Sequence, residues 1–210
     1  MKRFLMLALM LSLALVFAAC GTSNESSENE GTDSNQAAEE ESATTGGDLK
    51  IAVSAQPPTL DVHLTTATVA IDITRNIFET LVTSNENFET VPMLAESVDV
   101  SEDGLTYTFK LREGVKFHNG DEMTAEDVEA SMNRWLENSA RAKMLLSGSE
   151  FVAVDDYTVE LHLQERASDT LDIMAGQGQF PAIMPKEVIE SATADGVEEL
   201  IGTGPFKFEE

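Results

Sequence analysis

The chain has a single cysteine, Cys20, in 210 residues, so no disulfide can form within it. The folded part must therefore be held by its apolar core. Basic residues are scarce: 13 Lys and Arg stand against 38 Asp and Glu, giving a formal charge of −25. That balance excludes the basic face that nucleic acid requires and adhesion to anionic lipid by charge. No apolar run reaches the ~20 residues needed to span a bilayer. The longest, from Phe4 to Ala19, has 16. Assembled catalytic motifs are missing as well. His63, His118 and His162 lie far apart, and none sits in a His-Glu-x-x-His helix. His118 reads as a structural residue at a turn and His162 as a solvated side chain on a polar strand face. Gly176-Gln177-Gly178 lacks the third glycine of a dinucleotide loop, and Ser147-Gly148-Ser149 lacks the frame of a nucleophile elbow. No nucleophile, base and orienting group assemble. These absences predict a protein that is not an enzyme and holds no metal or cofactor.

What is present begins at the N-terminus. Lys2 and Arg3 precede the apolar run, which closes on Leu15-Val16-Phe17-Ala18-Ala19 before Cys20. Basic, apolar and small residues in that order form a secretory signal. The phrase ending at Cys20 resembles the lipobox of bacterial lipoproteins, which implies cleavage after residue 19 and acylation of Cys20. Residues 21–47 carry seven acidic and no basic side chains and no aromatic or branched aliphatic residue. Such a stretch cannot bury enough apolar surface to order itself. As a coil of 27 residues it sets its ends roughly 30 Å apart. The expected organisation is a signal peptide at 1–19, an acylated Cys with an acidic linker at 20–47, and a folded region at 48–210.

The folded region is predicted to open on a strand, with Leu49, Ile51 and Val53 alternating, and to break at Pro57-Pro58. Val69, Ala70, Ile73, Ile77, Phe78 and Leu81 recur at helical spacing between Ala67 and Val82. Glu96 to Val100 and Leu105 to Leu111 form a hairpin around Asp103-Gly104. Its return strand places Tyr107, Phe109 and Leu111 on the core side. Asn119-Gly120 marks a turn. Thr124 reads as the N-cap of a helix carrying Val128, Met132, Trp135 and Leu136. A second hairpin joins Phe151–Val154 to Val159, Leu161 and Leu163. Short helices are expected near 169–175, 186–192 and 197–201, and Phe206 and Phe208 begin another period of two. Hairpins mixed with helices give a mixed α/β (α+β) class.

Several phrases together carry a resemblance. They are Pro58-Thr59-Leu60-Asp61, Phe78-Glu79-Thr80-Leu81, Pro92-Met93-Leu94-Ala95-Glu96-Ser97, the run from Ser101 to Arg112, Gly114 to Gly120, Thr124-Ala125-Glu126-Asp127-Val128, and Gly202-Thr203-Gly204-Pro205-Phe206. In that order the chain resembles the family 5 extracellular solute-binding proteins of ABC importers, whose members include oligopeptide, dipeptide, glutathione and nickel binders. Val62 stands where the family phrase has proline. Most of these residues shape turns, caps and core, so they identify the scaffold rather than the ligand.

The resemblance implies the first lobe of a two-lobed periplasmic-binding-protein-like (class II) fold, ending before the second lobe. Its core subdomain would comprise about 48–86 and 203–210, with an inserted subdomain at about 87–199. It implies a monomeric lipid-anchored receptor on the outer face of the bacterial cytoplasmic membrane. Such a receptor captures an oligopeptide or dipeptide, or alternatively a nickel or other metal chelate, for an ABC permease with cytoplasmic ATPases. The solute-binding residues it implies are Gln56, Pro58, Thr59 and Leu60 after the first strand, Arg141 beyond the long helix, and the stretch from Gln177 to Phe180, chiefly Gln179 and Phe180. Arg141 would pair with a carboxylate. A single lobe would bind weakly or not at all, for want of an enclosing wall. A surface adhesion or signalling lipoprotein and a secreted hydrolase are the alternative classes.

Overall fold

In the computed structural model, residues 46–176 and 178–209 are described. Cys20 and the signal and linker expectations lie outside them.

The central element is a four-stranded antiparallel sheet in the order β3-β4-β6-β5: β3 (Ala95–Val100), β4 (Thr106–Leu111), β5 (Glu150–Asp155) and β6 (Thr158–His162). The expected hairpins are its outer pairs. β4 and β6 pair in the middle, setting Phe109 opposite Val159 and Tyr107 opposite Leu161. Alternation puts Phe109, Leu111, Phe151, Val159 and Leu161 on one buried face. The β3–β4 turn closes as Asp103-Gly104 requires. Gly104 has φ +68°, and Arg166 donates from Nε to Asp103 O at 3.0 Å across the turn.

Helix α2 (Ala125–Asn138) covers the buried face. Val128, Met132 and Trp135 are all fully buried, one turn apart. Thr124 begins the helix as expected: its N–H donates to Asp127 Oδ2 at 2.8 Å, and its hydroxyl donates to the same oxygen at 2.9 Å. One core cluster joins this helix and sheet to Leu81, Val82 and Leu94 and to α4 (Thr170–Ala175). A second cluster gathers Val62, Ile71, Ile77 and Phe78 with Phe180, Ala182 and Met184.

Four local expectations are corrected. Residues 49–53 form no strand, and Leu49 and Ile51 are exposed. An extended segment needs a neighbouring strand to take its backbone groups, and none pairs with it among the described residues. Phe206 and Phe208 are likewise exposed and outside any strand. The helix expected over 67–82 is only Thr68–Thr74 (α1), and Phe78–Leu81 runs on without helix. Its carbonyls have other partners: Ile77 O accepts from Gly204 N, and Asn76 O from Phe206 N, each at 2.9 Å. Residues 197–201 are irregular rather than helical. Val197 N instead donates to Asp61 Oδ2 at 3.0 Å.

Two elements are additions. A small hairpin pairs β1 (Val82–Ser84) with β2 (Thr90–Pro92). Arg141, expected beyond the long helix, sits in a helix of its own, α3 (Ala140–Leu145), capped by Ser139 Oγ, which accepts from Ala142 N at 3.2 Å. The helices near 169–175 and 186–192 appear as α4 and as α5 (Lys186–Ser191).

Candidate functional site

Three polar residues on α2 stand at positions i, i+4 and i+7, and together they hold two segments, 184–186 and the one at Asp61. Asp127 Oδ1 accepts from Lys186 N at 2.8 Å. Ser131 Oγ donates to Met184 O and accepts from Met184 N, both at 2.9 Å. Arg134 reaches Asp61 with two hydrogen bonds, Nη1 to Oδ1 at 3.0 Å and Nη2 to Oδ2 at 2.6 Å. The side chains of Arg134 and Asp61 are only 10% and 1% exposed, so this ion pair is nearly desolvated.

His63 completes the cluster. It is fully buried, with Nε2 2.9 Å from Ala182 O and Nδ1 3.1 Å from Arg134 Nη1. Nε2 must carry the hydrogen, because it faces an acceptor, and Nδ1 accepts from the guanidinium. The ring is therefore neutral. Burial pushes its pKa down to about 4, the Arg134 charge adds to that, and Asp61 only partly offsets them. For Asp61, burial raises the pKa, but the hydrogen bonds and charge of Arg134 outweigh it and hold the carboxyl below its ordinary range.

This cluster fixes the chain just after the first expected solute segment. Asp61 N donates to Thr59 Oγ1 at 3.1 Å. Thr59 and Leu60 are half-buried, while Gln56 and Pro58 are exposed. At the next residue after Arg134, the same helix holds the second segment. Trp135 Nε1 donates to Gln179 O at 2.7 Å. Gln179 Oε1 accepts from Ala140 N at 2.7 Å, and its Nε2 donates to Asn138 O at 3.2 Å. The Gln179 side chain is thus occupied in closing the α2–α3 corner. Arg141 is exposed beside it, with Nη1 3.9 Å from where a Cβ on Gly176 would lie. Phe180 is buried beneath the Arg75 guanidinium, 5.6 Å from the ring centroid. Gln177 lies outside the described residues. Arg141, Gln179 and Phe180 therefore gather at one corner, and Gln56–Leu60 is tied to the same helix through Asp61.

Asp61, His63 and Arg134 were not singled out by sequence reasoning. The available signal was the polar stripe Asp127, Ser131, Arg134, which runs at helical spacing alongside the apolar face of α2.

Among the described residues no three His, Cys, Asp or Glu side chains are placed to hold a metal ion. His118 is structural, as expected: Nε2 lies 2.8 Å from Gly204 O, and Nδ1 accepts from Gly202 N at 3.3 Å. His162 sits half-exposed, 3.2 Å from Glu160. No helix among the described residues is long and apolar enough to cross a membrane. An open depression of about 510 Å³ lies between Asn133, Glu137, Lys143 and Glu150, and it contains none of the expected solute residues.

Comparison with known proteins decides what kind of scaffold this is. The family described as bacterial extracellular solute-binding proteins, family 5 middle, matches residues 89–210, more than half of the chain. The chain belongs to this family. Family 5 members are solute-binding proteins rather than enzymes, as expected from the sequence. The chain is 31% identical over 227 aligned residues to the dipeptide-binding protein DppE of Bacillus subtilis, covering 95% of this chain and 39% of DppE. Its fold is similar to the dipeptide binding protein from Pseudoalteromonas sp. SM9913 in complex with Met-Leu, with TM-score 0.65 and 26% identity over 74% of this chain and 36% of that one. It is also similar to NikA from Brucella suis in complex with Fe(III)-EDTA, with TM-score 0.62 and 34% identity over 72% of this chain and 31% of NikA. The mixed α/β architecture is therefore a part of the periplasmic binding protein fold. The chain spans 28–39% of the length of the first curated family 5 relatives it matches.

Proposed function

We propose that this family 5 chain provides one wall of the solute cleft of an ABC importer's receptor, and that the solute is peptide-like. The observation that carries the reading is the likeness to a binding protein crystallised with the dipeptide Met-Leu. Gln56, Pro58, Thr59, Leu60 and Arg141 are the solute-facing residues in this reading, with Gln179 and Phe180 as the floor that sets the Arg141 corner. Cys20 carries the lipid that holds the receptor outside the membrane, and residues 21–47 are its tether. Residues 48–86 and 203–210 form the core of the wall, and 87–199 its inserted part. A metal chelate is the second reading, favoured by the 34% identity to NikA and by an arginine able to pair with a chelator's carboxylate.

The expected solute residues Gln56, Pro58 and Arg141 are exposed, and in water charge pairing at 4 Å contributes only about 1 kcal/mol. Calorimetric titration of the full chain with Met-Leu is expected to give no saturable heat below about 1 mM, and micromolar binding would overturn the one-wall reading. Uptake of labelled Met-Leu by the source cell is expected to fall when the gene is deleted. Unchanged uptake of Met-Leu alongside lost uptake of a nickel chelate would replace the first reading by the second.

A further inference from the structure

A φ in the left-handed region is uncommon for a bulky side chain and marks strain that the surroundings must hold in place. Among the described residues only Phe88, at +62°, and Gln179, at +47°, adopt it without being glycine. The Gln179 conformation is offset by the side-chain bonds to Ala140 and Asn138. Phe88 has no such compensation. It is 90% exposed, more than any other large apolar residue among those described. A ring this exposed contributes almost nothing to the core, and glycine would meet the same φ without steric cost.

Phe88 sits at the tip of the β1–β2 hairpin, and hydrogen bonds fix that tip. Asn85 N donates to Glu89 O at 2.9 Å, and Phe88 N donates to Asn85 O at 3.0 Å. Asn85 Oδ1 accepts from the N–H groups of Asn87 and Glu89 at 2.9 and 3.0 Å, and Asn85 Nδ2 donates to Glu89 Oε2 at 2.9 Å. The base of the hairpin is fastened to α4: Thr90 Oγ1 donates to Asp172 Oδ1 at 2.7 Å, and Ser84 Oγ donates to Ala175 O at 3.3 Å. Glu86 and Glu89 are exposed on either side of Phe88, and neither joins an ion pair among the described residues. An aromatic face and nearby carboxylates attract a cation in the same sense. The same carboxylates repel anionic lipid, and a second copy would bring an equally acidic tip.

We propose that Phe88 anchors a docking surface for a basic protein, its ring seating a lysine or arginine of the partner while Glu86 and Glu89 face the partner's positive charge. Buried aromatic anchors carry much of the energy of such interfaces, and a ring held out by a fixed turn has little freedom left to lose on association. The surface is separate from the expected solute residues, and the inference does not depend on which solute the chain takes.

Two measurements on the full chain test it. The first is urea unfolding of the purified protein. Phe88→Gly is expected to raise the midpoint by about 0.5 M, the relief of the left-handed φ divided by the urea slope. Phe88→Ala, which keeps the backbone strain and removes the ring, is expected to leave the midpoint unchanged. A midpoint that does not rise with Phe88→Gly, or that falls with Phe88→Ala, would mean that the ring serves the fold and would overturn the proposal. The second places the photoreactive residue p-benzoylphenylalanine at position 88 of the chain in its source cell. Irradiation is expected to give an adduct with one protein, mapped by mass spectrometry to a segment that carries lysine or arginine. Replacing both flanking acids, Glu86→Gln with Glu89→Gln, is expected to cut the yield several-fold. No adduct, an adduct with lipid, with a second copy or with a segment free of basic residues, or a yield indifferent to the two glutamates would overturn the proposal. An adduct on a permease subunit would support both the docking surface and the importer reading. An adduct on a basic protein unconnected with transport would support the docking surface and count against that reading.

Discussion

Removing the Asp61 carboxylate should be among the most damaging single changes in the described residues. Asp61→Ala strands Arg134 in a site where its side chain is 10% exposed, and it deprives the backbone N–H groups of His63 and Val197 of their acceptor. Breaking a buried pair from one side costs about 3–5 kcal/mol. With a urea slope of about 2 kcal/mol per molar, a loss near 4 kcal/mol lowers the unfolding midpoint by about 2 M. Arg134→Met should cost less, because Asp61 keeps two backbone donors and can take up a proton. The double variant decides whether the two act as a pair. Its loss should fall short of the summed single losses by about 1–3 kcal/mol, since the second change removes a charge that the first left unpaired. Urea unfolding of all four proteins, followed by fluorescence of Trp135, measures this. A loss under about 1 kcal/mol for Asp61→Ala, or single effects that add within about 0.5 kcal/mol, would refute the argument.

Two further outcomes follow from the same geometry. The folded His63 pKa of about 4 lies below its unfolded value, so between pH 6.5 and 4 the unfolded chain binds the extra proton. The neutral ring therefore stabilises fully above pH 6.5, and that contribution, on the order of 3 kcal/mol, is lost as pH falls towards 4. Asp61 adds a further loss below its ordinary carboxylate range. Unfolding midpoints measured against pH should fall over that window, and His63→Gln should flatten the upper part of the curve. Separately, Gly202→Ala should destabilise by more than about 2 kcal/mol, because an added Cβ would collide with Ile77 O and with Phe78 Cδ1, the latter at 2.6 Å. Gly178→Ala, at a glycine that like Gly202 has no positive φ but where nothing lies within 4 Å, is the control, and a loss at Gly202 no larger than at Gly178 would contradict the contact argument.

Local chemistry alone located the two sheet hairpins, the Asp103-Gly104 turn and the Thr124 start of α2. Each depends on residues near in sequence: alternation puts Tyr107, Phe109 and Leu111 on one side, and a turn glycine needs only its own φ. The ordered phrases from Pro58 to Phe206 were legible for the same reason, as the turns, caps and core positions of one scaffold. What distance in sequence brings together was not legible. The helix after Ala67 stops at Thr74, and residues 202–206 come alongside its end to take the carbonyls of Asn76 and Ile77. Gln179 reads as a polar loop residue, and only the fold shows its amide spent on Asn138 and Ala140. Asp61 and Arg134 stand 73 positions apart. A buried charge is tolerable only beside its counter-charge, and which charge that is depends on how the chain returns upon itself. Periodicity and turn chemistry specified the elements, while the pairing of desolvated polar groups across them was decided by the tertiary structure.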